Sequence, residues 1–225
     1  MAAGPAMTRE EALEALDVGI ERVMELAKRE VRMIAIGEMG IGNTTAAAAI
    51  SAVLMGLPVE ELTGRGSGID DQAVLRKQEV IRRAIRVNYP DPADPIDVLA
   101  KVGGLEIAGM AGAVLGAAAE GIPLVLDGVI STAAALVAAR WEPKVREYLF
   151  ASHLSAEPAH RHLLEDLGLK PLIDADMRLG EGTGAVLCFP LFDAAVSLAR
   201  EMATFSDMGL ESPAKEETAK GESDN

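Results

Sequence analysis

The stretch Ile34-Ala35-Ile36-Gly37-Glu38-Met39-Gly40-Ile41-Gly42-Asn43-Thr44-Thr45-Ala46-Ala47-Ala48-Ala49 constrains the chain more than any other. Residues 31–36 are a short apolar run of strand character, a glycine-punctuated loop follows, and helix formers begin at Thr44 or Thr45. Gly37, Gly40 and Gly42 permit positive φ and close approach of the backbone to a ligand. Asn43 or Thr44 is placed to cap the helix, leaving free N–H groups and the positive end of its dipole facing outward. That arrangement is a ready anion site. No Gly-Lys-Ser/Thr follows, so it is not a Walker loop, and the glycine order is not the dinucleotide fingerprint. Glu38 is the odd member, because a carboxylate inside a phosphate loop is unfavourable unless it has another task. The plainer alternative is a tight strand-to-helix turn with an exposed glutamate.

The rest of the chain repeats this alternation. Thr8-Arg9-Glu10-Glu11 is a capping box, and Leu13, Leu16, Ile20 and Val23 follow at helical spacing, which predicts a helix over 8–29. A second glycine loop, 63–71, precedes a helix capped by Asp70 or Asp71 and running to Asn88, with Val74, Leu75, Gln78, Ile81 and Ile85 as its buried stripe. Asp94-Pro95 reads as N-cap and first helical residue. The small residues of 105–120 permit close packing, inside the subunit or against a second copy. Residues 122–126 are a continuous apolar run, the signature of a buried parallel strand, and Asp127-Gly128 leads into a helix near Val129. Residues 148–152 and 171–173 read as further strands, with a helix over 158–167 between them and a last helix broken at Pro190. Strands alternating with helices predict an α/β fold: a parallel sheet flanked by helices, Rossmann-like and three-layered. Ligands in such sheets bind at the carboxyl ends of the strands, where Glu38, Asp127, Ser155 and Glu181 all fall. The domain is expected over 1–209, with a disordered acidic tail over 210–225.

Composition limits the partners. The chain of 225 residues is 49 % hydrophobic but 3 % aromatic, so its core is built from Ala, Val, Leu, Ile and Met. Its formal charge is −14; the last fifteen residues hold five acids and two lysines, or −3, leaving −11 for the body. Such a surface repels nucleic acid and anionic membranes, so an anionic substrate needs local donors. The single Cys188 fits a reducing compartment and reads as a core residue. No signal peptide is visible, and the apolar stretch 107–139 is interrupted too often for a membrane span. These readings predict a soluble cytoplasmic protein. His153, His160 and His162 have no acidic partners at metal-site spacing, and Ser67 is not in a nucleophile elbow, so neither a metal centre nor a serine hydrolase is expected. Glutamates in glycine loops are the better lead. An enclosed Glu38 or Glu181 would have its pKa raised by desolvation and could serve as a general base.

Five ordered motifs go further. Gly37-Glu38-Met39-Gly40-Ile41-Gly42-Asn43-Thr44-Thr45, Gly64-Arg65-Gly66-Ser67-Gly68-Ile69-Asp70-Asp71, Leu126-Asp127-Gly128-Val129-Ile130-Ser131, Ser152-His153-Leu154-Ser155-Ala156-Glu157 and Arg178-Leu179-Gly180-Glu181-Gly182-Thr183-Gly184-Ala185 together closely resemble the nicotinate-nucleotide–dimethylbenzimidazole phosphoribosyltransferase family. The resemblance spans about 5–209. It implies phosphoribosyl transfer from nicotinate mononucleotide to 5,6-dimethylbenzimidazole, giving α-ribazole 5′-phosphate and nicotinate for the lower ligand of cobalamin, with no cofactor and in a homodimer. It also implies that Glu181 is the general base and Glu38 the second acidic site residue. Lys77 falls at the family's substrate-phosphate lysine. Gly37, Gly40, Gly42, Asn43, Thr44, Asp127, Gly128, Ser155, Leu179 and Gly180 complete the expected substrate-binding set. Members of the family carry a further N-terminal portion with part of the benzimidazole pocket, which this chain lacks. The expected alternatives are therefore a non-catalytic nucleotide-binding module, an inactive fragment, or a subunit partnered by a separate N-terminal piece.

Overall fold

The computed structural model describes residues 1–66 and 68–209; Ser67 and the expected tail, 210–225, lie outside them. Strands β1 (Ile34–Ile36), β2 (Leu124–Leu126), β3 (Leu149–His153) and β4 (Pro171–Ile173) form a four-stranded sheet in the order β1-β2-β3-β4, each pair parallel. All three residues of β2 are buried, as a strand covered on both faces requires. The register aligns Ile36 with Leu126 and Leu126 with Ala151, so the carboxyl ends of the strands open on one edge.

Helix α1 (Arg9–Lys28) begins as its sequence specifies. The Thr8 hydroxyl accepts from the Glu11 N–H at 3.1 Å, and the Glu11 carboxylate accepts from the Thr8 N–H at 2.8 Å. After β1 come α2 (Asn43–Met55), the short α3 (Val59–Leu62), α4 (Asp71–Asn88), α5 (Pro95–Val102) and α6 (Leu105–Ala119). The small residues of α6 are consumed inside the chain, against α1. A Cβ at Gly19 would stand 1.9 Å from the Gly109 carbonyl oxygen, and one at Gly112 1.9 Å from that of Leu16. Two helix backbones touch there, which only glycine allows.

After β2, α7 (Val129–Trp141) runs through the centre of the core, with every residue from Val129 to Ala139 buried. Its alanines suit a core poor in aromatic volume, where neighbouring helices must come close to fill space. A 3₁₀ turn (Pro143–Tyr148) leads to β3, α8 (Pro158–Leu167) to β4, and α9 (Thr183–Leu187) follows the last loop.

Three local expectations are corrected. The cap of α2 is Gly42 in the left-handed conformation, φ 97°, and Asn43 is the first helical residue rather than the cap. Leu75 is exposed, because the buried stripe of α4 is set by Gln78, Ile81, Ala84 and Asn88, and position 75 stands round the helix from it. Tyr148, expected to open the third strand, ends a 3₁₀ turn instead, and β3 starts at Leu149; residues 59–62 and 143–147, for which the sequence pattern predicts no element, are also helical turns.

The chain divides into two units, Met1–Cys188, which contains the sheet, and a second one starting at Phe189. The described part of the second unit is α10 (Phe189–Glu201) with turns to Gly209, and no residue of α10 is buried. By length and composition alone the helical run Thr183–Glu201 passes as a membrane span, well beyond the apolar stretch 107–139. The run also carries Asp193, Arg200 and Glu201.

Candidate active site

The carboxyl edge of the sheet opens into a cavity of about 320 Å³. Residues 38–44 line it after β1 and 127–131 after β2; His153, Ser155 and Glu157 line it at the end of β3, and 178–180 after β4. Of the residues singled out from sequence, Glu38, Gly40, Gly42, Asn43, Thr44, Asp127, Gly128, Ser155, Leu179 and Gly180 are brought together in this wall. Gly37, Lys77 and Glu181 stand outside it.

The first glycine loop is held by its own glutamate. A Glu38 carboxylate oxygen accepts from the Gly40 N–H at 2.8 Å and from the Asn43 side-chain amide. This resolves the oddity of a carboxylate in an anion loop, since in this conformation Glu38 satisfies donors the loop would otherwise leave open. Asn43 is buried, and its Oδ1 has no hydrogen-bond partner among the described residues. A buried acceptor left unpaired costs about 1–3 kcal/mol.

Lys77, on α4, lies just behind the wall. Its ammonium donates to Thr44 Oγ1 at 2.8 Å and to the Gly64 carbonyl at 3.3 Å. Burial pushes the Lys77 ammonium below its usual range, and the charge of Glu157 draws it part of the way back. Glu157 also accepts from the Gly66 N–H at 3.0 Å, fastening the second glycine loop to the end of β3.

Asp127 is 1 % exposed. Its Oδ2 accepts from the Gly182 N–H at 3.1 Å, and its Oδ1 from those of Gly184 at 2.8 Å and Ala185 at 3.2 Å. The Ser152 hydroxyl donates to the Asp127 carbonyl at 3.1 Å, so in the 2.9 Å contact between Ser152 Oγ and His153 Nδ1 the imidazole donates. That places a proton on Nδ1, 3.8 Å from Asp127 Oδ1. Burial pushes the His153 imidazole down, with Asp127 opposing.

A second buried histidine ties two junctions together. The Ser155 N–H donates to His160 Nδ1 at 2.8 Å, which leaves Nε2–H to donate to Thr132 Oγ1 at 2.9 Å. The Thr132 hydroxyl then donates to the Gly128 carbonyl at 2.8 Å. Burial lowers the His160 pKa to about 3, and His153 pushes in the same direction.

Neither glutamate is enclosed as expected: Glu38 is half-buried and Glu181 exposed. Glu181 has φ +59° between Gly180 (+83°) and Gly182 (+78°), three consecutive left-handed residues. This loop meets the first one backbone to backbone, since a Cβ at Gly37 would fall 2.2 Å from the Gly182 nitrogen. Met39, Ile41 and Leu179 leave an apolar rim around the cavity, Ile41 being 104 % exposed. Sequence reasoning missed Glu157, His153 and His160 as site-builders. The available signal for His153 and Glu157 was their position at or just after the carboxyl end of β3; His160 lies in α8, and the role of a buried histidine depends on partners far along the chain. Among the described residues no group of His, Cys, Asp and Glu could hold a metal ion.

The fold and cavity define a class: a parallel α/β protein that gathers glycine loops and a lysine at the carboxyl edge, suited to an anionic ligand. The chain belongs to the phosphoribosyltransferase family, which it matches over residues 1–210. It is 58 % identical over 209 residues to the nicotinate-nucleotide–dimethylbenzimidazole phosphoribosyltransferase of Desulforamulus reducens, covering 93 % of this chain and 60 % of that protein. The like-named protein of Desulforudis audaxviator is 57 % identical over 210 residues, covering 93 % and 60 %. The crystal structure of CobT from Thermus thermophilus superposes with a TM-score of 0.88 at 49 % identity, covering 93 % of this chain and 62 % of that one. The chain thus spans about 60 % of the length of these curated relatives.

Proposed function

We propose that this chain supplies the nucleotide-binding and base-bearing part of an enzyme transferring phosphoribose from nicotinate mononucleotide to 5,6-dimethylbenzimidazole. The observation that carries the reading is the meeting of residues from all five motifs at one cavity on the strand ends, with Lys77 bonded to Thr44 just behind its wall. The 5′-phosphate is assigned to Lys77 and the N–H groups that open α2. The unpaired Asn43 Oδ1 takes a ribose hydroxyl. In the transfer, a benzimidazole ring nitrogen bonds to C1′ as the bond from C1′ to the pyridinium nitrogen breaks, the electron pair leaving with nicotinate. The proton on the other azole nitrogen goes to Glu181. The pyridinium is a good leaving group, so one base is sufficient, and inversion gives the α product. Gly37, Gly40, Gly42, Thr44, Gly128, Ser155, Leu179 and Gly180 shape the nucleotide site. Calorimetry with nicotinate mononucleotide, with chromatography of nicotinate and α-ribazole 5′-phosphate, tests the reading. Absence of nucleotide binding at low salt overturns it.

The exposed apolar rim of Met39, Ile41 and Leu179 favours a second reading, in which the chain binds the nucleotide without turnover until a separate piece covers the rim. Binding without release of nicotinate is the outcome that selects it. We also propose a homodimer, on family membership, and a cytoplasmic location, which the lone buried thiol of Cys188 fits. A monomer by light scattering at micromolar concentration counts against the dimer.

A further inference from the structure

We infer that Asp127 is a positioning residue that holds the Glu181 loop in its reactive shape, and that its carboxylate is not a substrate ligand. The inference rests on the reading of Glu181 as the base, and the geometry carries it. Both Asp127 oxygens are committed to three backbone N–H groups that follow Glu181 in the chain, those of Gly182, Gly184 and Ala185. The three left-handed residues 180–182 have little intrinsic preference for that shape, and Glu181 is the non-glycine among them. A conformation of this kind persists where surroundings over-determine it. The N-cap residue of α9, Gly182, provides no side-chain cap, so a buried acceptor from the end of β2 performs that task across 55 residues of sequence. The anchor is rigid. It is 1 % exposed, and the Ser152 hydroxyl and the His153 Nδ1–H secure the backbone beneath it. Gly184 completes the fit, because a Cβ there would meet His153 Nδ1 at 2.1 Å and Asp127 Oδ1 at 2.9 Å. With these three donors satisfied by Asp127, the exposed Glu181 carboxylate is not drawn into capping its own turn.

The test uses the whole chain, with amide hydrogen exchange, nucleotide calorimetry and turnover for the parent, Asp127→Asn and Gly184→Ala. In the parent, the amides of Gly182, Gly184 and Ala185 should be protected; exchange there at unstructured-peptide rates overturns the proposal. Asp127→Asn replaces one acceptor oxygen by a donor, so exchange at these amides should rise about tenfold or more while α7 stays protected. Gly184→Ala should give the same pattern by pushing the tether apart from the other side. Affinity for nicotinate mononucleotide should stay within about threefold. Turnover should fall, and Asp127→Asn combined with Glu181→Gln should be no worse than Glu181→Gln alone, because the two act through one group. A large loss of nucleotide affinity with unchanged exchange means that Asp127 is a substrate ligand, and overturns the proposal. A parent that never releases nicotinate sinks the transfer reading, while the exchange result still decides the tether.

Discussion

Two glycine loops, 37–44 and 179–185, meet at the cavity, and they are held in opposite ways. The first is held from within, because Glu38 turns its carboxylate back onto Gly40 and Asn43. The second is held from outside by Asp127, a residue of another junction, and its own Glu181 keeps an exposed carboxylate. A carboxylate that ties its own loop must exchange partners before it can serve a ligand, whereas an externally tied loop leaves its carboxylate uncommitted. On this ground the base role is proposed for Glu181, and Glu38 is left to organise its own loop.

The contrast can be broken most directly at Glu181. Glu181→Gln should retain nucleotide binding and lower kcat by about 10²–10⁴-fold, the usual worth of a general base. A variant within threefold of the parent would remove the distinction between the loops. Next comes Lys77→Ala. A charged hydrogen bond is worth about 1.5–3 kcal/mol, so nucleotide affinity at low salt should fall roughly 10- to 150-fold with the melting curve little changed. Equal affinity would move the phosphate away from Thr44 and Gly64.

Acid should act behind both loops, at the junctions after β2 and β3 that His160 ties together. His160 is buried neutral with its pKa lowered to about 3, so the unfolded chain binds a proton that the folded one refuses between about 6.5 and 3. Stability contributed here is intact above that window and is lost as pH falls through it, by at most about 1.4 kcal/mol per pH unit. Thermal melts from pH 7 to 4 should follow that slope, and His160→Gln should flatten it; identical slopes would exclude His160 as the cause. The smallest effect is expected from Glu38→Gln. It keeps one acceptor for the Gly40 N–H, so turnover should fall less than about tenfold. A loss equal to that of Glu181→Gln would mean that both glutamates share the proton.

How much of this was legible in the sequence differs by element. The capping box of α1, the N-caps Asp70 and Asp94, and the buried run of β2 are local signals, and the structure reproduces them. The cavity's location followed from strand-end residues, because parallel sheets place their ligands there. Local pattern could not give the exposure of Glu181 or the tether from Asp127, which joins residues 55 to 58 positions apart. The same holds for His160, whose partners Thr132 and Ser155 lie on two different junctions. The cap at Gly42 was missed because a left-handed glycine leaves the same trace in sequence as an ordinary turn.

The contact between Gly37 and Gly182 has a consequence for anyone rebuilding this scaffold. With no side chain between them, the loops share a surface of main-chain atoms, and neither can be lengthened, shortened or exchanged while the other keeps its course. A graft of the nucleotide loop onto another parallel sheet would have to bring the glutamate turn, the tethering aspartate and both glycines with it. These parts are spread over more than a hundred residues of chain, yet they would have to move as a single unit.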